Sequence, residues 1–277
     1  ASTVANTLTI TYTDAVPTDA AGTVFYVAVP AQIYQELKID LDADGSAYTN
    51  SMITKSSTDI TIARNTIYPI TFAEKHIPVD LGLPSGLKWA ACNIGATAPD
   101  EYGLFFAWGE TKGYGRNPSD GRQFNWANYK WCDGTSNSIT KYCADSSNGT
   151  VDGKTTLDSE DDAATANWGG TWRMPTRDEW VELLNNCTWT WTSINDVHGY
   201  LVTSTSNSNS IFLSDTGVRW DGYIGNGGSG YYWSSSLDEN ISYSGSRLLF
   251  FSGGFDPCSN FNRFRGLSVR PVCPSAE

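Results

Sequence analysis

The chain has 277 residues, 30 acidic against 18 basic side chains for a net charge of −12, and 40% hydrophobic, 13% aromatic and 17% charged residues. That length can bury the core of one large or two moderate domains, and the composition excludes a disordered chain. The acidic balance argues against nucleic acid or an anionic membrane surface as partner, and no apolar run approaches the roughly 18 to 20 residues of a membrane span.

The chain opens without a basic stretch and apolar core, so any secretory leader is expected to be absent from this sequence. Six cysteines with only two histidines, and no C-x-x-C pair, fit disulfides of an exported protein better than a metal site. The shortest loop, Cys132 to Cys143, is the first pairing expected. Cys187 with Cys273 would tie the one clear helix to the last strand, and Cys258 has no evident partner.

Residues 1–75 read as short strands at 7–13, 23–29, 37–42, 47–54, 59–63 and 67–72. Pro, Asp and Gly mark the turns and no helical period appears, so a small β-sandwich is expected. Asp40, Asp42, Asp44 and Gly45 imitate a calcium loop, but Ser51 stands where the bidentate Glu belongs. Asp-Gly between alternating strands reads instead as a hairpin turn. The runs TVFYVAVP (23–30), KID (38–40) and RNTIYPITF (64–72) resemble the C-terminal part of the fimbrillin-like domains of Bacteroides-type bacteria. That resemblance implies a transthyretin-like sandwich, an extracytoplasmic location at the cell surface or on a fimbria, and other fimbrial subunits as partners.

A boundary is expected at 74–78, giving domains 1–75 and 76–277. Ser85 lies between Gly82 and Gly86, without nucleophile-elbow spacing or a following helix, and reads as a turn. Residues 110–166 look like a long loop insertion rich in Gly, Ser, Asn and Trp. Its acids Asp158, Glu160, Asp161 and Asp162 could hold calcium as a hard cation, against the commoner role of such clusters as helix starts or solvated faces, so no cofactor is assigned.

The strongest local signal follows. Thr176 and Glu179 have capping-box spacing, and Trp180, Leu183, Leu184 and Cys187 repeat at helical intervals, predicting one amphipathic helix over 177–186. Strands are predicted at 188–192, 199–203, 210–213 and 219–223. The letters G-x-G-x-x-G at 225–230 precede a strand rather than a helix, so no phosphate loop is expected. Asp196 with His198 reads as a loop feature.

The last stretch, 233–272, carries Arg247, Arg263, Arg265 and Arg270 and no lysine, against an acidic average. In RLLFF (247–251), a period of two puts Leu248 and Phe250 inside and turns Arg247, Leu249 and Phe251 outward. A binding surface and a strand buried on both faces are equally compatible with that run.

The motifs WGGTWRMPTRDEW (168–180), GYYWSSS (230–236) and GLSVRPV (266–272) resemble, in order, a bacterial family of C-type-lectin-like domains related to the formylglycine-generating-enzyme fold and found in surface proteins of Bacteroidetes and Fibrobacter. The resemblance covers about residues 76–277. It implies an α+β domain whose irregular C-terminal segment returns to a small sheet and exposes a ligand-binding face. Some members look like variable proteins of diversity-generating retroelements. In that comparison the varied positions are Arg247, Leu249, Phe251, Gly254, Asp256, Cys258, Ser259, Phe261 and Arg265. All can be written by NNC codons, as most amino acids can. The reading that follows is a non-catalytic cell-surface protein for adhesion, with a protein or glycan as ligand. A formylglycine-generating-type enzyme and a structural pilin subunit are the alternatives. The enzyme would use a close cysteine pair, whereas Cys258 and Cys273 are far apart in the sequence. Replacing Phe251, Phe261 and Arg265 together is expected to abolish binding with little loss of stability.

Overall fold

Alternating apolar residues early in the chain form an antiparallel hairpin. Strand β1 (Ile33–Leu41) pairs with β2 (Ser51–Thr61), Leu41 standing opposite Ser51, with an irregularity between Tyr34 and Glu36. The structure, a computed structural model, describes residues 33–41, 51–61, 76–225 and 227–275, with side chains from 76 onward apart from those of Pro257 and Cys258. The strands expected at 7–13, 23–29 and 67–72, the turn at 42–45 and the sandwich they would build lie outside those residues. The described parts of the strands expected at 47–54 and 59–63, residues 51–54 and 59–61, fall together in β2. The chain divides into two units, Ala1–Lys75 and His76–Glu277.

The second unit is mostly β with few helices. In chain order it holds β3 (Pro78–Asp80), β4 (Lys88–Ala90), α1 (Ala163–Trp168), α2 (Arg177–Asn186), β5 (Cys187–Ile194), β6 (Val197–Ser204), β7 (Ser210–Ser214), β8 (Val218–Trp220), β9 (Tyr223–Gly225), β10 (Ser229–Leu237), β11 (Ser244–Phe251), β12 (Gly254–Asn262) and β13 (Val272–Cys273). Between β4 and α1 the chain runs in turns, isolated bridges and short 3-10 segments, as the Gly- and Asn-rich composition predicts.

Helix α2 spans the predicted residues because its signals are local. The Thr176 hydroxyl accepts from the Glu179 amide while the Glu179 carboxylate accepts from the Thr176 amide at 2.8 Å, closing the capping box. Trp180 and Leu183 are fully buried, and the Trp180 ring lies 4.5 Å from that of Trp89 in β4. The Ser85 turn is tied to the same helix, its hydroxyl donating to Glu182 at 2.7 Å.

Three-stranded antiparallel sheets form in the orders β5-β6-β7, β10-β11-β12 and β13-β4-β3. In the last of these, Val272 stands opposite Trp89, so the end of the unit returns to its beginning. The run 267–272 is not one strand. Leu267 bridges to Phe106 and Ser268 to Tyr232 before β13 starts. The strand expected at 219–223 is a hairpin, with Trp220 opposite Tyr223 and the pair Asp221-Gly222 at positive φ of 43° and 76°. That is the Asp-Gly turn chemistry already read at residues 44–45. Asn195 and Asp196, also at positive φ, turn β5 into β6.

Of the glycines at 225–230, Gly225 and Gly230 serve packing. A Cβ on Gly225 would meet the Trp220 ring at 2.0 Å, and one on Gly230 the Phe250 ring at 2.0 Å. Two clusters flank the β10–β11 pair. Trp89, Trp180, Leu183, Tyr232, Leu248 and Phe250 meet on the α2 side. Trp108, Tyr142, Met174, Tyr231, Trp233 and Leu267 meet on the other.

Neither expected disulfide forms: Cys132 and Cys143 are unlinked, as are Cys187 and Cys273. Each loop thiol turns to a nearby carbonyl, Cys132 Sγ to Trp126 O at 3.2 Å and Cys143 Sγ to Asp145 O at 3.1 Å. Cys187 is instead a small apolar residue under α2, where burial pushes its thiol up to about 11.

Candidate ligand-binding face

Strand β11 has the predicted alternation. Leu248 and Phe250 are fully buried, while the opposite side grades along the strand from Arg247, 7% exposed, through half-buried Leu249 to Phe251, 47% exposed. The outward face is thus covered at one end and open at the other, and Arg247 departs from the exposure expected of it. Its cover comes from neighbouring strands: Tyr231 on β10 and Phe261 on β12.

The register shows which residues of β12 share this face, because directly opposed residues project to the same side. Gly254 pairs with Phe251, Asp256 with Leu249, Ser259 with Arg247 and Phe261 with Gly245. Even numbers give way to odd ones because the register shifts between Arg247 and Leu249, where residues 257 and 258 bulge opposite Leu248. Strict alternation along β12 would have split this set between two faces. The side chain of Cys258 lies outside the described residues. Arg265 follows β12 and joins the face through Phe261, its guanidinium 4.6 Å from that ring and 5.2 Å from Trp220.

The buried arginines Arg219, Arg247, Arg263 and Arg270 fall into two kinds. Arg270 donates Nε to Asn93 at 2.9 Å, Nη1 to the carbonyls of Ala90 and Ala91, and Nη2 to that of Phe212 at 2.8 Å. Arg263 donates to the Tyr129 hydroxyl and to the carbonyls of Tyr142, Ser242 and Lys141. Arg219 makes a two-point pair with Asp120, at 2.6 and 3.0 Å. These hold loops together. Arg247 is different: its guanidinium lies beside the stacked Tyr231 and Phe261 rings, 4.9 and 4.4 Å from their centres, and its Nε and Nη1 are buried with no acceptor. Burial pushes it down to about 10, with Asp256 opposing from a distance. Arg265 also keeps a buried Nε without acceptor, as does the Ser259 hydroxyl.

Sequence reasoning missed Phe255. It pairs with Phe250 and so belongs to the other side of the sheet, yet it is 46% exposed beside the turn and 5.4 Å from the Trp189 ring. An aromatic directly after Gly253-Gly254 was the signal available. Ser259 also lines a cleft of 280 Å³ with Arg177, Glu239, Ser246 and Asn260.

The acidic cluster lies elsewhere and holds an internal cation. Lys141 Nζ stands 2.8 Å from Asp158, 2.6 Å from Asp161 and 3.7 Å from Glu160. Lys141 and Lys154 hold the Asp158 carboxyl down to about 2. Burial alone would raise Asp161, but donors from Lys141, Tyr142 and Lys130 outweigh it and hold it low. Asp162 caps α1, accepting from the amides of Ala164 and Thr165, and reaches Met174 N at 2.9 Å. Asp196 and His198 make no catalytic pair: the first is a turn residue and the second stacks on Trp191. No family model, curated protein or solved structure matches the chain.

Proposed function

We propose that the unit from His76 onward is a C-type-lectin-like, non-catalytic domain that binds a surface ligand through the outward face of β11 and β12, with the first unit as its fimbrillin-like carrier at the cell surface. The observation that carries this is the register. Seven of the nine positions that the resemblance singles out, Arg247, Leu249, Phe251, Gly254, Asp256, Ser259 and Phe261, fall on one side of one hairpin despite the change of parity at its bulge. The return of the C-terminal segment to β4 fits the lectin-like reading. Apolar side chains beside arginines suit an adhesive surface, and no metal or cofactor is part of the proposal.

The direct test is a screen of the full chain against arrayed glycans and purified surface proteins. Saturable binding to at least one member is expected. Absence of binding across both arrays, or turnover of a thiol peptide substrate, would overturn the reading. The variant that reports on the face is the exposed Phe251→Ser, with Leu249→Ser beside it read against its unfolding midpoint because Leu249 also packs on the core. The triple replacement expected from sequence to abolish binding with little loss of stability is not clean, because Phe261 stacks on Tyr231 at 5.8 Å and packs on the core.

A further inference from the structure

We infer that Arg247, with Arg265 beside it, receives a carboxylate from a protein partner, an Asp or Glu side chain set among apolar ones. This rests on the ligand-binding reading above and names the chemistry of that ligand. A buried guanidinium is ordinarily matched to acceptors: Arg263 and Arg270 in this same unit follow the rule, and Arg219 gives both Nη groups to acceptors and leaves only Nε unmet. Arg247 is as dry as a core residue, yet Nε and Nη1 reach neither carbonyl nor carboxylate. The rings of Tyr231 and Phe261 sit to one side of it as cation–π partners, which attract the charge without supplying an acceptor atom. What remains unmet are the Nε–H and Nη1–H donors, each able to give a charge-assisted hydrogen bond to a carboxylate oxygen.

The surroundings favour a protein over a sugar. Next to Arg247 on the same face stand Leu249 and Phe251, apolar anchors of the kind that meet apolar side chains in protein interfaces. An incoming group passes the half-buried Leu249, Ser259 and Phe261, and the unpartnered Ser259 hydroxyl stands opposite Arg247 to share its load. A cationic partner is rejected by the same pair of guanidinium ions.

The test pans the full chain against a displayed library of random peptides and measures the affinity of the synthesised consensus peptide. The enriched sequences are expected to carry Asp or Glu next to an aliphatic or aromatic residue. Arg247→Met, or Asp→Asn in the peptide, should weaken binding at least roughly 30-fold, with Arg247→Lys only partly restoring it. Denaturant midpoints show whether each variant is folded. No enrichment of acidic peptides overturns the inference. So does full binding by a folded Arg247→Met protein, or Arg247-dependent binding to uronate or sialylated glycans and not to peptides. If Leu249→Ser and Phe251→Ser abolish binding while Arg247→Met does not, only the carboxylate subsite fails. If none of the three matters, the face itself is wrong.

Discussion

Arg270 and Arg247 are both buried cations, and the difference between them is who accepts their protons. Removing Arg270 leaves the carbonyls of Ala90, Ala91 and Phe212 without a donor, so Arg270→Met should destabilise the unit by about 3 kcal/mol or more. Removing Arg247 leaves no orphan acceptor and relieves an unpaired buried charge. Arg247→Met should therefore stay within about 1 kcal/mol of wild type or rise above it. Urea midpoints of the two variants check this, and equal losses would contradict it. The sequence shows all these arginines alike. Alternation assigned Arg247 its face correctly, but not its cover, because Tyr231 and Phe261 arrive from neighbouring strands through pairings that no local pattern encodes.

At the level of single elements, legibility followed locality. Helix α2 could be read to the residue because cap, first-turn acids and apolar period all lie within it. Thr176→Ala should cost about 1 kcal/mol and Thr176→Ser much less, measured by thermal or urea unfolding. The β8–β9 hairpin was also local, and its Asp-Gly pair should have split the run. The bulge at 257–258 was not legible, since it exists only relative to β11. Nor was the partner of the acidic cluster, which comes from Lys141 across a loop. That pairing fixes a pH response. The folded Asp158 carboxyl, at about 2, lies below its ordinary 3.8, so its stabilisation is complete above that ordinary value and disappears as pH falls through about 2. Glu179 acts in the same direction: burial opposes ionisation, but Arg173 and the Thr176 amide prevail. Asp162 and Asp215, raised by burial, pull the other way. The urea midpoint should fall between about pH 5 and pH 2, less steeply in Asp158→Asn, and a flat profile would contradict this.

Across the second unit of this acidic chain, with its net charge of −12, the buried arginines Arg219, Arg263 and Arg270 organise loops while Arg247 keeps donors unmet. The division at Lys75 and the return of β13 to β4 frame the second unit as a body whose ends meet, leaving the β11–β12 hairpin with an open rim. The two disulfides expected, Cys132 with Cys143 and Cys187 with Cys273, do not form, and three aromatic-rich clusters pack the second unit, so cysteine spacing was a poor guide to what closes these loops. The face itself was half legible: its residues could be named from resemblance, while their convergence required the register. The most direct measurement is the affinity of Phe251→Ser, a replacement at a 47% exposed position, for whichever ligand the wild-type chain captures, read alongside its unfolding midpoint. Binding should be lost with the midpoint nearly unchanged; retained binding, or a midpoint that collapses, would contradict the assignment of this face to ligand recognition.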